Sequence, residues 1–393
     1  MRRGAALRPA LRRPRRVRAE RPAVRRRGLP RRVRRDGRGR DPRRARRPGP
    51  RAPPAGGRPA ARPRSPPRPR RAAVVRTTAV VPAWNGRGWL PGLLASIDAQ
   101  ERPFDELVIV DNGSRDGTAD WLAATRPDVV VLREDRNRGF AAAANRGIAV
   151  AHGERIALLN TDVELAPDWH ARLADRLDGD PRLASVASKL VRLDDPGTVD
   201  DAGDRLRRDG VCEQRGAGRP DDGRFDVPGE VFSACAGAAL YRRDAVLAVG
   251  GFDERLFSYL EDVELGLRLA LAGWRCGYEP AVARHAGGGS SGQLARPVSG
   301  WVARNTLLLV ARAWPWRWAG PVVYRQLAWT LHAARERRLR AHLGGLASAL
   351  PLLGVMLRER AALRRVAVRR IEDVVAPVPW RGPTAGGHPD SPE

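Results

Sequence analysis

Between Tyr259 and Trp274 the sequence reads YLEDVELGLRLALAGW, and three of its first six residues are acids: Glu261, Asp262 and Glu264. A helix N-terminus favours negative charge, and Glu264 stands four residues before Arg268, so a helix-end role accounts for Glu264. It accounts less well for the adjacent Glu261 and Asp262, which sit among aromatic and apolar neighbours, and their role depends on what else the chain places nearby. Further polar residues recur at short intervals upstream, with Asn85 after VVPAW, Asp111 and Asn112 after ELVIV, and Asn160 and Asp162 after RIALL. Any one of them reads as a turn or cap residue. Their shared position, each at the end of an apolar run, is the stronger observation.

The runs themselves supply the positioning. From about Ala72 the sequence alternates a strand (TTAVVPAWN, broken by Pro82), a helix (GWLPGLLASIDAQ), a strand entering a turn (ELVIVDNGSRDGT), a helix (TADWLAAT) and a third strand (VVVL). A helix closing at Gly153 as its C′ glycine (GFAAAANRGIAVAHG) and a fourth strand (RIALLNTD) follow. This alternation predicts an α/β fold with mainly parallel strands, whose ligands bind outside the carboxyl ends of the strands. Asn85, Asp111, Asn112, Asn160 and Asp162 would then line one crevice. Residues 194–231 are polar and rich in Asp and Gly, an excursion of loops and short strands. An apolar strand, a helix and a Gly-Gly turn come next, then the acid-bearing helix and a strand that ends at His285 before a Gly/Ser loop.

The net charge of +28 suggests a nucleic-acid binder until its location is considered. Residues 1–71 hold 29 Arg and 3 acids, whereas the rest of the chain carries 43 basic and 41 acidic residues. The N-terminal part is Arg, Pro, Ala and Gly without apolar periodicity and is expected to be a disordered tail over residues 1–73. It reads as an RNA or anionic-membrane arm, a spacer, or upstream sequence not normally translated, with the start near Val74. The last two fit best, because the tail has no aromatic residue for base stacking. Cys212, Cys235 and Cys276 lie far apart with no CxxC spacing, which argues against a disulfide framework and suits a reducing compartment.

Taken in order, VVPAWNG, VIVDNGSRDGT, NRGFAAAANRGI, LLNTDVEL and YLEDVELGLRLALAGW with RHAGGGSSG resemble the inverting nucleotide-sugar glycosyltransferases of family 2, within them the rhamnosyltransferase-like branch. The likeness runs from about Thr78 to Gly292. It implies a GT-A fold, a Rossmann-like nucleotide-binding half in a mixed sheet, over 74–295. It also implies roles for residues at matching positions. Pro82, Ala83 and Asn85 would border the nucleotide, and Asp111 would accept a hydrogen bond from its base. Asn137, Gly139 and Asn145 would contribute to the sugar and nucleotide pocket. Asn160, Thr161 and Asp162 stand where the family has its DxD motif, with Asn160 in place of the first acid. The resemblance therefore makes Asp162 the main carboxylate on a divalent cation, with His285 completing the coordination. Oxygen ligands suit Mg²⁺ or Mn²⁺, and an imidazole tilts the preference toward Mn²⁺. Asp262 would be the catalytic base, kept ionised by the helix N-terminus, and Glu261 would position the acceptor. Gly237 and Ala238 would form the acceptor side.

After residue 300, Trp301, Trp314, Trp316, Trp318 and Trp329 mix with Arg and Leu in a helical extension over 296–376, followed by a disordered tail over 377–393. The longest apolar stretch, LGGLASALPLLGVML, is interrupted by Pro351 and is too short to predict a membrane-crossing helix. Interleaved Trp and Arg suit either an interfacial membrane contact or packing on the catalytic body. The combined expectation is a cytoplasmic enzyme, peripheral on the inner face of the plasma membrane. It would move a sugar, rhamnose first, from a dTDP- or UDP-sugar to a glycan or polyprenyl-linked acceptor in cell-envelope polysaccharide synthesis, without a specific nucleic-acid partner. The alternatives are a galactofuranosyl- or mannosyltransferase of the same fold, a basic RNA-binding protein acting through the tail, and an inactive scaffold.

Overall fold

The structure, a computed structural model, describes residues 76–287 and 298–378. The Arg-rich tail, the Gly/Ser stretch 288–297 and residues 379–393 lie outside the described residues. The first half of the body alternates β1 (Thr77–Ala83), α1 (Leu90–Asp98), β2 (Glu106–Asp111), α2 (Thr118–Thr125), β3 (Val130–Arg133), α3 (Phe140–Val150) and β4 (Arg155–Leu159). β5 (Val163–Leu165), α4 (Trp169–Gly179), β6 (Leu183–Arg192), β7 (Val199–Asp201), β8 (Asp204–Leu206), β9 (Cys212–Gln214) and β10 (Gly229–Val231) follow. The body closes with β11 (Ala238–Arg242), α5 (Arg243–Ala248), α6 (Glu261–Leu271) and β12 (Arg275–His285). Three helices come after it: α7 (Val298–Ala313), α8 (Ala319–Arg335) and α9 (Leu339–Val366).

The main sheet has the order β10-β12-β6-β11-β4-β1-β2-β3. β4, β1, β2 and β3 run parallel, β11 is antiparallel to both β4 and β6, and β12 returns parallel to β6. The sheet is therefore mixed, with a parallel nucleotide-type half. β1 is buried on both faces, as a central parallel strand must be, and its residues alternate. Ala79 and Val81 pack with α1, α2 and α4 on one side, and Val80 packs with α3, α5 and α6 on the other. Pro82 stands beyond the last β1–β4 pair, Val80 with Leu158, so its missing N–H costs that ladder nothing.

Two expectations change. α3 ends at Val150 with Ala151 extended, and Gly153 is not a left-handed cap. Glycine is needed there because a Cβ would come 2.5 Å from the Thr78 nitrogen where the chain crosses β1. The second change concerns α9, which continues through Pro351 for 28 residues, roughly 42 Å at 1.5 Å per residue. An 18-residue window of it has mean hydropathy 1.3 and is 22% buried, so α9 is by length and composition able to cross a membrane.

The helical extension is not a separate body. Val263, Leu267 and Leu271 of α6 share one apolar cluster with Leu309, Trp314 and Trp318. Polar contacts reinforce that seam. Arg312 of α7 reaches Asp253 at 2.9 Å and Glu264 of α6 at 2.5 Å, while Glu264 also takes Arg268 at 2.6 Å.

Candidate active site

The carboxyl ends of β1 and β4, with the loop that follows β2, open on a cleft of about 590 Å³. The cleft brings together Pro82, Ala83, Asn137, Gly139, Asn160, Thr161, Asp162, Gly237, Glu261 and His285, residues spread over two hundred positions. Loop chemistry sets this gathering. Asn112, at the end of β2, accepts from the Arg138 N–H at 2.9 Å and donates to Asn137 Oδ1 and to the Gly139 carbonyl, both at 3.1 Å. Asn137 Oδ1 in turn accepts from the Gly139 N–H at 2.8 Å. Gly139 has φ +92°, and a Cβ there would lie 2.5 Å from the Phe257 carbonyl oxygen, so only glycine allows the two loops to meet.

Some expected contacts fall elsewhere. Asn85, with φ +50°, accepts from the Arg115 N–H at 2.8 Å through Oδ1, and its own N–H donates to Ser114 Oγ at 2.9 Å. Asp111 is buried at the end of β2, where its Oδ1 accepts from the Ser114 N–H at 3.2 Å. Both residues join the loops after β1 and β2 and stand behind the cleft lining. Asn145 fastens α3 to the turn after α5, donating to the Phe252 carbonyl at 2.9 Å and accepting from its N–H at 2.8 Å. Its side chain is used within this turn and lies outside the cleft lining. Ala238 is buried as the first residue of β11, outside the lining.

On one wall, β12 delivers His285 beside Asp162. His285 Nε2 lies 3.6 Å from Asp162 Oδ1, and its Nδ1 lies 2.8 Å from Asp200 Oδ2. Burial disfavours charge on this imidazole, yet the two carboxylates overcome it and push the pKa up to about 10. Asp200 passed unnoticed in the sequence, where it is one of five aspartates between positions 194 and 204. Asn160 contributes an amide 3.5 Å from His285 Nε2, and its N–H donates to the Gly237 carbonyl at 2.8 Å.

The opposite wall carries the acids. Glu261 is buried and lines the cleft, with Oε2 lacking any hydrogen-bond partner among the described residues. Burial and the neighbouring Asp262 push its carboxyl well above the usual range. Asp262 is half-buried beside the lining, and its Oδ2 accepts from the Ala236 N–H at 3.0 Å. Helix-end ionisation does not prevail here: burial outweighs the backbone donors and raises the Asp262 pKa. Behind it lie Asp201, pushed up to about 7 by burial, and Asp204, raised by burial and by the charges of Asp201 and Asp262. These acids compete for protons as a group.

The segment leading into α6 is strained. Phe257 has φ 65° and ψ −66° and forms a γ-turn closed by the Ser258 N–H on the Leu256 carbonyl at 2.8 Å. Tyr259 and Leu260 follow with φ 71° and 64°. Non-glycine residues in such regions cost on the order of 1–3 kcal/mol each and persist where their surroundings over-determine them, commonly at functional sites.

Glycosyl transferase family 2 matches residues 78–250, and glycosyl transferase family group 2 matches residues 224–380. An N-acetylglucosaminyl-diphospho-decaprenol L-rhamnosyltransferase of Mycobacterium tuberculosis is 33% identical over 281 residues, covering 65% of this chain and 88% of that protein. A pre-mycofactocin glycosyltransferase of the same organism is 31% identical over 205 residues, covering 52% of this chain and 41% of that one. Among solved structures, GalNAc-T7 with UDP, GalNAc and Mn²⁺ aligns with a TM-score of 0.49 at 18% identity, over 62% of this chain and 48% of that one. The mixed sheet, the cleft at its strand ends and a relative matched along nearly its whole length agree: this chain belongs to glycosyl transferase family 2, as a glycosyltransferase of the GT-A fold.

Proposed function

We propose that the protein is an inverting transferase that moves rhamnose from a dTDP- or UDP-sugar to a polyprenyl-diphosphate-linked glycan at the cytoplasmic face of the membrane. The observation that carries the reaction type is the division of one cleft between a cation-type wall (Asp162, His285) and an acid wall (Glu261, with Asp262 beside it). Inversion is a single in-line displacement. It needs a base on the acceptor hydroxyl and stabilisation of the departing diphosphate, and one carboxylate suffices as base. Asp262 takes that part, as its place in the Glu-Asp pair of the family resemblance implies, with its carboxylate oriented beside the cleft by the Ala236 N–H. Glu261 Oε2, buried without a partner, would accept a hydrogen bond from the acceptor and orient it.

The donor set fits a divalent cation. Asp162 and His285 Nε2 would hold it, the cation displacing the proton that the two carboxylates otherwise keep on the ring, and Asp200 on Nδ1 would fix the ring as the outer carboxylate of a carboxylate–histidine–metal arrangement. Among the described residues no cluster of three or more His, Cys, Asp or Glu side chains is set to enclose an ion. Bound there, Mg²⁺ or Mn²⁺ would neutralise the leaving group.

Sugar and acceptor follow from the mycobacterial relative, whose name specifies rhamnosyl transfer to a decaprenyl-linked N-acetylglucosamine. A galactofuranosyl- or mannosyltransferase would use the same walls. The experiment is turnover of a nucleotide-sugar panel with a polyprenyl-diphosphate acceptor, with Mn²⁺ or EDTA, by wild type, Asp262→Asn and Glu261→Gln. We expect metal-dependent turnover of dTDP-rhamnose, lowered by Asp262→Asn by about 10²–10⁴-fold. An Asp262→Asn enzyme as active as wild type would remove the base assignment.

A further inference from the structure

We infer that Asn305, in α7, is a positioning residue that holds the strained loop before α6 and so places Glu261 and Asp262 against the acceptor. Asn305 is fully buried. Its Nδ2 donates to three loop carbonyls on either side of Phe257, those of Leu256 at 2.9 Å, Ser258 at 2.9 Å and Tyr259 at 2.7 Å. An amide nitrogen has two hydrogens, so one of them is shared. The orientation of the amide is fixed from its other side. Oδ1 accepts from Arg304 at 2.6 Å, and a guanidinium can only donate, so the NH₂ must face the loop.

The clamp meets the chain where it needs holding. Leu256 and Ser258 flank the γ-turn at Phe257, and Tyr259 and Leu260 carry the positive φ values that bring the chain into α6. Phe257 is held a second time from α7, with its ring stacked on Trp301 at 4.9 Å between centroids and 8° between planes. The Phe257 carbonyl accepts from the Ala141 N–H at 3.2 Å, which joins this loop to the Gly139 loop on the nucleotide side. A side chain of the helical extension therefore sets the geometry of the acid wall, while the Asp162 and His285 wall makes no contact with it in the described hydrogen bonds.

The inference rests on the assignment of Glu261 and Asp262 to the acceptor, and two measurements on the full chain separate it from the choice of sugar. In Asn305→Asp an oxygen replaces the donating nitrogen against three carbonyl oxygens. Hydrogen–deuterium exchange should then lose protection at the amides of Phe257, Ser258 and Ala141 and keep it across β1 and β4. With dTDP-rhamnose and a polyprenyl-diphosphate acceptor, kcat should fall at least tenfold while the donor KM stays within twofold. Asn305→Ala carries the same expectation and stands in should the aspartate variant not fold. Thr306→Val alters the next buried residue of α7, whose hydroxyl makes no hydrogen bond among the described residues, and should leave both measurements unchanged. Unchanged exchange in the Asn305 variants, an equal change in donor KM, or an equal loss in Thr306→Val would overturn the assignment. Lost protection in a protein whose wild type ignores dTDP-rhamnose would refute the donor and leave the clamp standing.

Discussion

His285 lies between two carboxylates that do different things. Both line the cleft with it, Asp162 on the Nε2 side of the ring and Asp200 on the Nδ1 side. If Asp162 and His285 hold a cation, Asp200→Asn should weaken Mn²⁺ activation about 10–100-fold with little change in turnover at saturating metal, as outer carboxylates do. Asp162→Asn should depress turnover at every Mn²⁺ concentration. A Mn²⁺ titration of initial rates distinguishes them, and identical curves for Asp200→Asn and wild type would count against the ring-fixing role. At this scale the sequence was partly legible. Asp162, Glu261 and His285 stand at recognisable strand and helix ends, so their types and order pointed to the cleft. Asp200 sits in a polar excursion crowded with aspartate, where no spacing singles one out, and Asn305 looks like any polar residue on an amphipathic helix. Both act through contacts that close 85 and 49 residues apart along the chain. Asn145 lies outside the lining for the complementary reason, since a polar residue near a glycine loop serves a turn as readily as a ligand.

Among the elements, the parallel half was readable because each strand and helix carries its own period, whereas the insertion of β11 between β4 and β6 is a non-local pairing that no local pattern encodes. How α4 is fastened to β1 was equally hidden. His170, at the start of α4, sits at the centre of that junction. Its Nδ1 lies 2.6 Å from the Arg102 carbonyl and its Nε2 lies 2.9 Å from Thr77 Oγ1. Because a carbonyl only accepts, Nδ1 carries the proton and Nε2 accepts from Thr77. The ring also stacks on Phe104 at 4.3 Å. Burial lowers its pKa to about 4, against 6.5 for a free histidine. The unfolded chain therefore binds more protons between those values. The contribution is intact above about pH 6.5 and declines as pH falls toward 4, by roughly 3 kcal/mol at most. Urea midpoints at pH 7 and pH 4.5 should show a smaller acid loss in His170→Gln than in wild type. Parallel losses in the two proteins would remove His170 from the acid sensitivity.

The molecule as a whole divides its charge unevenly. Residues 298–378 carry 14 Arg against 4 acids, and α8 exposes Val323, Tyr324, Leu327 and Leu331 at helical spacing. Arg317, Arg364, Arg369 and Arg370 surround a second cavity beside the exposed Trp316. Basic charge beside exposed apolar and aromatic side chains suits an anionic bilayer surface, where a lipid-linked acceptor would be found. The protein should cosediment with phosphatidylglycerol vesicles and not with phosphatidylcholine ones. Leu327→Glu with Leu331→Glu should weaken that binding at least tenfold while donor turnover in detergent persists. Equal binding to both vesicle types would exclude the electrostatic part. The Asn305 contact carries one more implication, for the life of the chain before it leaves the ribosome. The pieces of the cleft wall named here, from Pro82 to His285, are all synthesised before Asn305. On the assignments proposed above, a nascent chain would assemble the Asp162 and His285 wall while its acid wall is still slack, and the enzyme would stay idle until α7 had emerged and folded back.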